Sequence, residues 1–288
     1  MLTLKAFAKI NLVLEVLGRR ADGYHEIASI MQTVSLCDVL TLEPADRIEL
    51  DFSLPGLADR DNIVFKAAQT LGEVTGFAGG VVIGLEKHIP TGAGLGGGSS
   101  DAAAVLRGLN FLWGLGLPRE KLAAIGAGLG SDVPFFVCGG TCLVEGRGER
   151  ITPLADIEQT WFVLLRPDLP VSSGKTATLY RMVKSGHFTS GKRSVAVRRQ
   201  LESRGKRKPV SLYNVFEKVA YGAFPGLCAY EEAFRRAGAS DLHLAGSGPV
   251  LFTMLHDEKR ASGIHANLLA GGYESNLVKS VRRDEIGC

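Results

Sequence analysis

The sequence predicts an α+β protein of two domains, and three features indicate this class. Its 288 residues exceed the roughly 100 to 200 residues of a typical single domain. Stretches with the two-residue period of strands are interspersed with stretches that have the period of amphipathic helices. A hairpin pattern, CLVEGRGERI, is followed by a new strand pattern, WFVLLRP. We therefore predict a first domain over residues 1–155 and a second over residues 156–288, with one cleft between them.

The first strand is predicted from the alternation of side chains between residues 4 and 16. Its odd positions include Lys5, Lys9, Asn11 and Glu15, whereas every even position is apolar. This pattern is typical of a half-buried strand with one polar face. On that face Lys9 and Asn11 are expected about 7 Å apart, given a rise of roughly 3.3 Å per residue.

The rest of the first domain alternates further strands with helices. The dipeptide Asp22-Gly23 predicts a turn directly before Tyr24 and His25. Ser99 or Ser100 is the expected N-cap of a strong helix that follows a glycine-rich stretch. The predicted strands cover residues 39–42, 48–52 and 80–90, and the predicted helices cover residues 62–71, 101–115 and 120–127.

The second domain is predicted to start with the strand WFVLLRP. Its remaining elements are helices over residues 178–183, 212–220 and 226–237 and strands over residues 241–244 and 250–255. Between them, the stretch from Arg181 to Lys208 carries ten Lys or Arg residues and one acid, Glu202. We predict that residues 185–209 are a solvated, mobile excursion.

Composition excludes several classes of protein. With 45% hydrophobic and 22% charged residues and a net charge of +3, the chain is typical of globular proteins. Nucleic-acid binding is not expected, because much of the excess of basic residues lies in one stretch, whereas a nucleic-acid-binding domain would need a broader basic footprint with interleaved aromatic residues. No run of about 18 apolar residues occurs, which argues against a membrane span. Five cysteines without a CxxC pair favour a reduced, cytoplasmic location.

Two stretches compete as phosphate-binding loops. PTGAGLGGGSSDAAA, residues 90–104, joins a strand to an apolar helix, and glycines at a helix N-terminus let backbone N–H groups converge on a phosphate. The alternative interpretation of these glycines is a tight turn. The second stretch, SSGKT, ends like a Walker A loop, but Leu169 occupies the position where that motif requires its first glycine. We therefore expect the phosphate site at residues 90–104.

Four motifs resemble those of the GHMP kinases. Pro90, Gly94, Leu95 and Gly96 match the P-x-x-x-G-L-G-S-S loop of that family, and its extended form GLGGGSSDAA is similar to one branch. AFAKINLVLEVLGRRADGYHEI, GSDVPFF and LAGSGPVLF resemble further motifs of the same branch, between residues 6 and 254. The resemblance implies a first domain like ribosomal protein S5 domain 2, a ferredoxin-like second domain, and an ATP-dependent kinase of the non-mevalonate isoprenoid pathway.

The resemblance assigns a catalytic pair. It implies that Lys9 stabilises the transferred phosphoryl group while Asp132, in GSDVPFF, orients or deprotonates the acceptor hydroxyl. Without the resemblance, a solvated strand lysine and an aspartate that caps a turn would be the simpler interpretations. Asn11 shares the face of Lys9 and is expected to help hold the acceptor.

The resemblance also assigns the nucleotide site. It implies ATP and Mg²⁺, with Asn62 and Lys87 lining the adenine pocket. Asp101 would repel a triphosphate unless it points away or a cation intervenes, and no metal ligand is assigned. The residues expected along the ATP phosphates are Pro90, Gly92, Gly94, Leu95, Gly96, Gly97, Gly98, Ser99, Ser100 and Asp101.

The acceptor of this branch is a small alcohol that carries cytidine diphosphate. A neutral pyrimidine is held well by stacking, so Tyr24 and Tyr180 are expected to sandwich the ring while His25 contacts its edge. A strand-edge tyrosine and a core tyrosine are the structural alternatives. The glycine motif adds Gly246, Ser247 and Gly248 to the expected acceptor site. Two other functions stay open at this point: another small-molecule GHMP kinase, and a nucleotide- or RNA-binding module without catalysis.

Overall fold

The computed structural model describes residues 1–51, 62–172, 174–203 and 210–287, which form two β-sheets, nine α-helices and two short 3₁₀ helices. The first sheet contains β1 (Leu2–Arg19), β2 (His25–Ala45), β3 (Ile48–Asp51), β4 (Gly80–Glu86), β5 (Thr141–Gly146), β6 (Arg150–Pro153) and β8 (Tyr213–Asn214). The second sheet contains β7 (Trp161–Arg166), β9 (His243–Leu244), β10 (Leu251–Leu255) and β11 (Glu274–Lys279).

The first sheet is organised around the long antiparallel pair β1 and β2. The order β3-β4-β2-β1-β8 runs through this pair, and β5 also pairs with β2. Three register shifts bend the pairing, one of them between Asn11 and Val13. The expectation of a half-buried β1 is wrong beyond residue 8, because Lys9, Asn11 and Glu15 are all buried. The polar face of β1 packs inside the protein, where each of these groups has a hydrogen-bond partner.

Four helices belong to the first half: α1 (Ile63–Thr75), α2 (Gly97–Leu112), α3 (Arg119–Ala127) and α4 (Val133–Cys138). Asn62 caps α1 by accepting a hydrogen bond from the Val64 N–H. The predicted cap of α2 is wrong: its N-cap is Gly96, at φ 77°, and Ser100 is buried in the first turn. There the Ser100 hydroxyl donates to the Phe7 carbonyl at 2.6 Å, which fastens α2 to β1.

The second sheet is antiparallel in the order β11-β7-β10-β9. Phe162 and Phe252 from this sheet share a buried cluster with Ile10 and Leu12 of β1, so the two sheets pack through one core. The five helices of this half are α5 (Lys175–Met182), α6 (Lys192–Glu202), α7 (Glu217–Ala223), α8 (Leu227–Arg236) and α9 (Glu258–Ala270).

Two predictions for the second half fail locally. The helix expected over 212–220 begins only at Glu217, because Tyr213 and Asn214 form β8 and pair in parallel with β1. The prediction that residues 185–209 are mobile is wrong for residues 192–202, which form α6. Ser194, Val197 and Leu201 are its buried anchors. Residues 204–209 lie outside the described residues.

The domain boundary near residue 155 stays a prediction. β8 crosses from the second half into the first sheet. Near the other end of the chain, Arg283 donates to the carbonyls of Thr141 and Leu154. Within the described ranges, no helix has the length and apolar character needed to cross a bilayer.

Candidate active site

A cavity of about 1670 Å³ opens between the two halves. Its walls come from β1, the glycine-rich loop before α2, the start of α5 and the loop after β9. All but three of the residues expected in the site line this cavity. The exceptions are Leu95, which is buried in the core, Ser100, which is bonded to β1, and Gly248, which packs against Leu244.

Lys9 and Asp132 meet at the floor of the cavity. The Lys9 ammonium lies 3.7 Å from an Asp132 carboxylate oxygen and donates to the Asn11 side-chain oxygen at 2.7 Å. The Asn11 amide in turn donates to the Ser29 hydroxyl at 2.8 Å. Burial lowers the pKa of Lys9, while the charge of Asp132 opposes that shift. Asp132 precedes α4 without a capping hydrogen bond from its side chain, so its carboxylate is directed to Lys9 instead of to the helix.

The glycine-rich loop passes close to Lys9 on its way into α2. The Lys9 N–H donates to the Leu95 carbonyl at 3.0 Å, which fixes the loop to β1. Gly94 and Gly96 have φ of 84° and 77°, a region that other residues rarely adopt. A Cβ on Gly94 would lie 2.1 Å from the Ala245 carbonyl oxygen, and one on Gly96 would lie 2.6 Å from the Phe136 ring. These positions therefore require glycine for two reasons, backbone conformation and space.

Lys87 occupies the far end of the loop with two carboxylates. It forms ion pairs with Asp38 and, at 2.6 Å, with Asp101. Burial alone would lower the pKa of Lys87, but Asp101 and Asp38 together raise it. Burial raises the pKa of Asp101 to about 7 although Lys87 opposes the shift. The charge of Lys87 is thus balanced within the protein, because both carboxylates pair with it, and Asp101 lines the cavity with one of its oxygens held by Lys87.

The opposite end of the cavity is aromatic. The rings of His25 and Tyr180 are stacked with centroids 5.1 Å apart, and Phe216 meets Tyr180 edge-on. Tyr24 is 54% exposed, and the Arg147 guanidinium lies 4.7 Å above its ring. His25 thus covers one face of Tyr180, so a ring sandwiched between Tyr24 and Tyr180 would require His25 to move.

Lys175 is a cavity residue to which the sequence analysis gave no role. Its ammonium donates to the carbonyl and the hydroxyl of Ser247, at 3.1 and 3.2 Å, and to the Gly248 carbonyl. Burial, together with the charge of Lys9, lowers the pKa of Lys175 to about 7. Lys175 is the lysine of the SSGKT stretch. The comparison with Walker A loops singled out this residue, although the chain lacks the first glycine of that motif.

Similar proteins identify the family. The family model for the GHMP kinases N terminal domain matches residues 62–140. The chain is 47% identical over 281 residues to 4-diphosphocytidyl-2-C-methyl-D-erythritol kinase of Dehalococcoides mccartyi, covering 98% of this chain and 99% of that protein. The chain belongs to the 4-diphosphocytidyl-2-C-methyl-D-erythritol kinase family. It is therefore an ATP-dependent small-molecule kinase.

Other members of the 4-diphosphocytidyl-2-C-methyl-D-erythritol kinase family agree with this assignment. The Symbiobacterium thermophilum enzyme is 41% identical and covers 98% of this chain and 96% of its own length. A solved structure of 4-(cytidine 5'-diphospho)-2C-methyl-D-erythritol kinase superposes with a TM-score of 0.81 at 35% identity, covering 97% of this chain and 99% of that one. The resemblance drawn from the four sequence motifs is thus confirmed.

The predicted fold class is confirmed as well. Homoserine kinase from Cytophaga hutchinsonii, at 17% identity, has a TM-score of 0.70 over 97% of this chain and 95% of its own. Such a distant likeness shows the fold alone. The chain has the α+β, two-domain GHMP kinase fold, with an S5 domain 2-like first part and a ferredoxin-like second part.

Proposed function

We propose that this kinase transfers the γ-phosphoryl group of ATP to the 2-hydroxyl of 4-diphosphocytidyl-2-C-methyl-D-erythritol, giving the 2-phosphate and ADP. The proposal rests on membership of a family whose curated members carry that name. The observation that supports it in the site is the pair of buried Lys9 and partly exposed Asp132, which lies in the cavity that the glycine-rich loop and the aromatic residues also line.

Lys9 and Asp132 are proposed to act on the same transferring group. Phosphoryl transfer depends mainly on positioning and on neutralising charge around the moving group. A buried ammonium held by Asn11 suits the developing negative charge, because it needs little reorganisation during the reaction. Asp132 is partly exposed, with 33% of its side chain accessible, and is thus available to accept the acceptor's hydroxyl proton.

ATP is proposed to lie along the glycine-rich loop, with its phosphates at the N-terminus of α2. The unpaired N–H groups there favour an anion. Asn62 and Lys87 both line the cavity, and we assign the adenine ring to these two residues. Because two carboxylates already neutralise Lys87, this end is suited to a neutral base more than to phosphate.

Mg²⁺ is proposed as the cofactor that accompanies ATP. No group of three His, Cys, Asp or Glu residues that could hold a metal occurs in the described chain. Magnesium prefers oxygen ligands and is usually held by one or two protein oxygens together with substrate phosphates. Ser99 lines the cavity, and Asp101 Oδ1 is buried without a hydrogen-bond partner among the described residues. These two oxygens fit the cation, which would neutralise phosphate charge when bound.

The cytidine group of the acceptor is proposed to bind at the aromatic end. Tyr24, His25 and Tyr180 line the cavity there and supply stacking surfaces and a polar ring nitrogen. Gly246 and Ser247 also line the cavity, and a Cβ on Gly246 would lie 2.8 Å from the Lys9 ammonium nitrogen. A cytoplasmic location and the lack of nucleic-acid binding stay predictions.

The reaction is tested with purified protein, ATP and Mg²⁺ and a panel of alcohols, by ADP release and phosphorus NMR of the product. We expect turnover of 4-diphosphocytidyl-2-C-methyl-D-erythritol and little turnover of nucleotide-free methylerythritol, mevalonate or homoserine. An Asp132→Asn variant links the activity to this cavity. Equal turnover of a nucleotide-free alcohol would instead identify another small-molecule GHMP kinase, and binding of ATP without turnover of any alcohol would favour a binding module.

A further inference from the structure

Lys175 differs from the other two lysines of the cavity in its partners. Lys87 pairs with two carboxylates and Lys9 with one. Lys175 has only neutral partners, two carbonyls and a hydroxyl, and forms no ion pair with a carboxylate in the part of the chain that the structure describes. Lys175 is partly buried, and a cation withdrawn from water without a counter-charge is unfavourable. Its position in a binding cavity thus points to an anionic ligand.

Geometry places this charge between the two ends of the proposed acceptor. Lys175 is the first residue of α5 and Tyr180 lies on the same helix, five residues further, or about 7.5 Å along the helix axis. In the other direction Lys175 is near enough to Lys9 for their charges to interact. A cytidine-diphosphate alcohol has its base at one end, its reacting hydroxyl at the other and its diphosphate between them. If the base contacts Tyr180 and the hydroxyl approaches Lys9, the diphosphate lies beside Lys175.

The surrounding groups complete a polar wall. The Thr176 hydroxyl lies 2.9 Å from the Ser247 hydroxyl, and both residues line the cavity together with Gly246. The N-terminus of α5 adds N–H groups that favour an anion. By contrast, the ATP phosphates are proposed to lie along the loop before α2, which has its own helix N-terminus.

We propose that Lys175 is a specificity residue that binds the diphosphate of the acceptor nucleotide. This inference rests on the proposed function, because it takes the acceptor to be a cytidine-diphosphate alcohol. It assigns to Lys175 a contact with the acceptor and none with the phosphates of ATP.

The test compares wild type with Lys175→Met by calorimetric titration with three probes: CDP, cytidine and ADP. We expect CDP to bind about 10- to 100-fold more weakly to the variant, the range for loss of a charge-assisted hydrogen bond. Cytidine and ADP affinities should stay within about twofold. The matched control is Lys259→Met, which alters an exposed lysine on α9 and should bind all three probes as wild type does.

A second readout is the proton taken up on binding, measured in buffers of different ionisation enthalpy. At pH 8 the free Lys175 ammonium is mostly deprotonated, given a pKa of about 7, and a diphosphate would restore its proton. The charge of Lys9 on β1 acts on Lys175, and Asp132 before α4 pairs with Lys9. Tyr180 on α5 stays neutral, because burial and the charge of Asp132 raise the pKa of its hydroxyl. Lys9 can also gain a proton when the probe binds, so proton uptake need not vanish in the variant. We expect Lys175→Met to take up fewer protons than wild type.

The outcomes separate this inference from the proposed function. Wild type that binds CDP and a variant that binds it equally well would overturn the role of Lys175 alone. Weaker ADP binding with unchanged CDP binding would assign Lys175 to the phosphoryl donor, and would also overturn it. Wild type that fails to bind CDP would overturn the proposed acceptor together with this inference.

Discussion

The pairing of Lys9 with Asp132 gives the sharpest prediction about catalysis. We consider Lys9→Met, Asp132→Asn and the double variant. Each single change should lower kcat by about 10² or more, roughly 2.7 kcal/mol, as is typical when one charge-stabilising group is removed. ATP affinity and folding should survive, because neither side chain is part of the hydrophobic core and the glycine-rich loop is attached to the backbone of Lys9.

The coupling between the two residues follows from their separation. Opposite charges 3.7 Å apart interact by about 4.5 kcal/mol at an effective dielectric constant of roughly 20. Once either Lys9 or Asp132 is replaced, the remaining residue has lost most of the charge or group that it neutralises or orients. The double variant should therefore lose about 2 kcal/mol less than the sum of the single losses.

The pH profile gives an independent measurement. The charge of Asp132 raises the pKa of Lys9 against the effect of burial, so Asp132→Asn should lower it. Since the charged ammonium is the active form, the alkaline limb of kcat should move to lower pH in that variant. Lys5→Met, on the exposed end of the same strand, is the control and should keep the wild-type profile. Additive single losses, or an unmoved alkaline limb, would refute the reasoning.

Three further predictions concern the rest of the cavity. Tyr24→Ala should raise the acceptor KM with little change in kcat, because stacking remote from the reacting hydroxyl contributes equally to ground and transition states; a wild-type KM would contradict this. Gly96→Val should abolish ATP binding in a calorimetric titration, since its Cβ would meet Phe136, whereas Gly114→Val, at a comparable φ of 63° in open space, should retain it. Lys175→Met should be more stable than wild type at pH 7, with the difference shrinking by up to about 1.4 kcal/mol per pH unit as the pH rises towards 10.5, the ordinary lysine pKa. That sign follows because the unfolded chain binds a proton that the folded chain has lost, and chemical denaturation at pH 7, 8 and 9 measures it.

The sequence predicted those features that depend on local spacing. Lys9 and Asn11 lie on one face of β1 because a strand repeats every two residues, and their hydrogen bond is direct. The glycine-rich loop was recognised from glycines placed between a strand and a helix. In both cases the deciding residues are neighbours along the chain.

Features that depend on distant partners were missed. α6 was expected to be mobile because of its charges, but Ser194 is held by Glu15, 179 residues away in sequence. Ser99 or Ser100 was expected to cap α2, but the N-cap is Gly96 and the Ser100 hydroxyl donates to the Phe7 carbonyl of β1 instead. Lys175 gained no role because its partner Ser247 lies 72 residues further along. No local pattern carries such pairings.

The three lysines that line the cavity differ in the number of carboxylates that pair with them, and this difference suits them to different roles. Lys87 is neutralised by Asp38 and Asp101, so it can shape a pocket for a neutral base. Lys9 has one carboxylate and Lys175 has none, so positive charge accumulates where two sets of phosphates must meet. In the free protein burial lowers the pKa of both lysines, and the charge of Lys9 adds to the shift of Lys175. A bound polyanion would oppose these shifts, and substrate affinity would then come partly from instability built into the empty cleft.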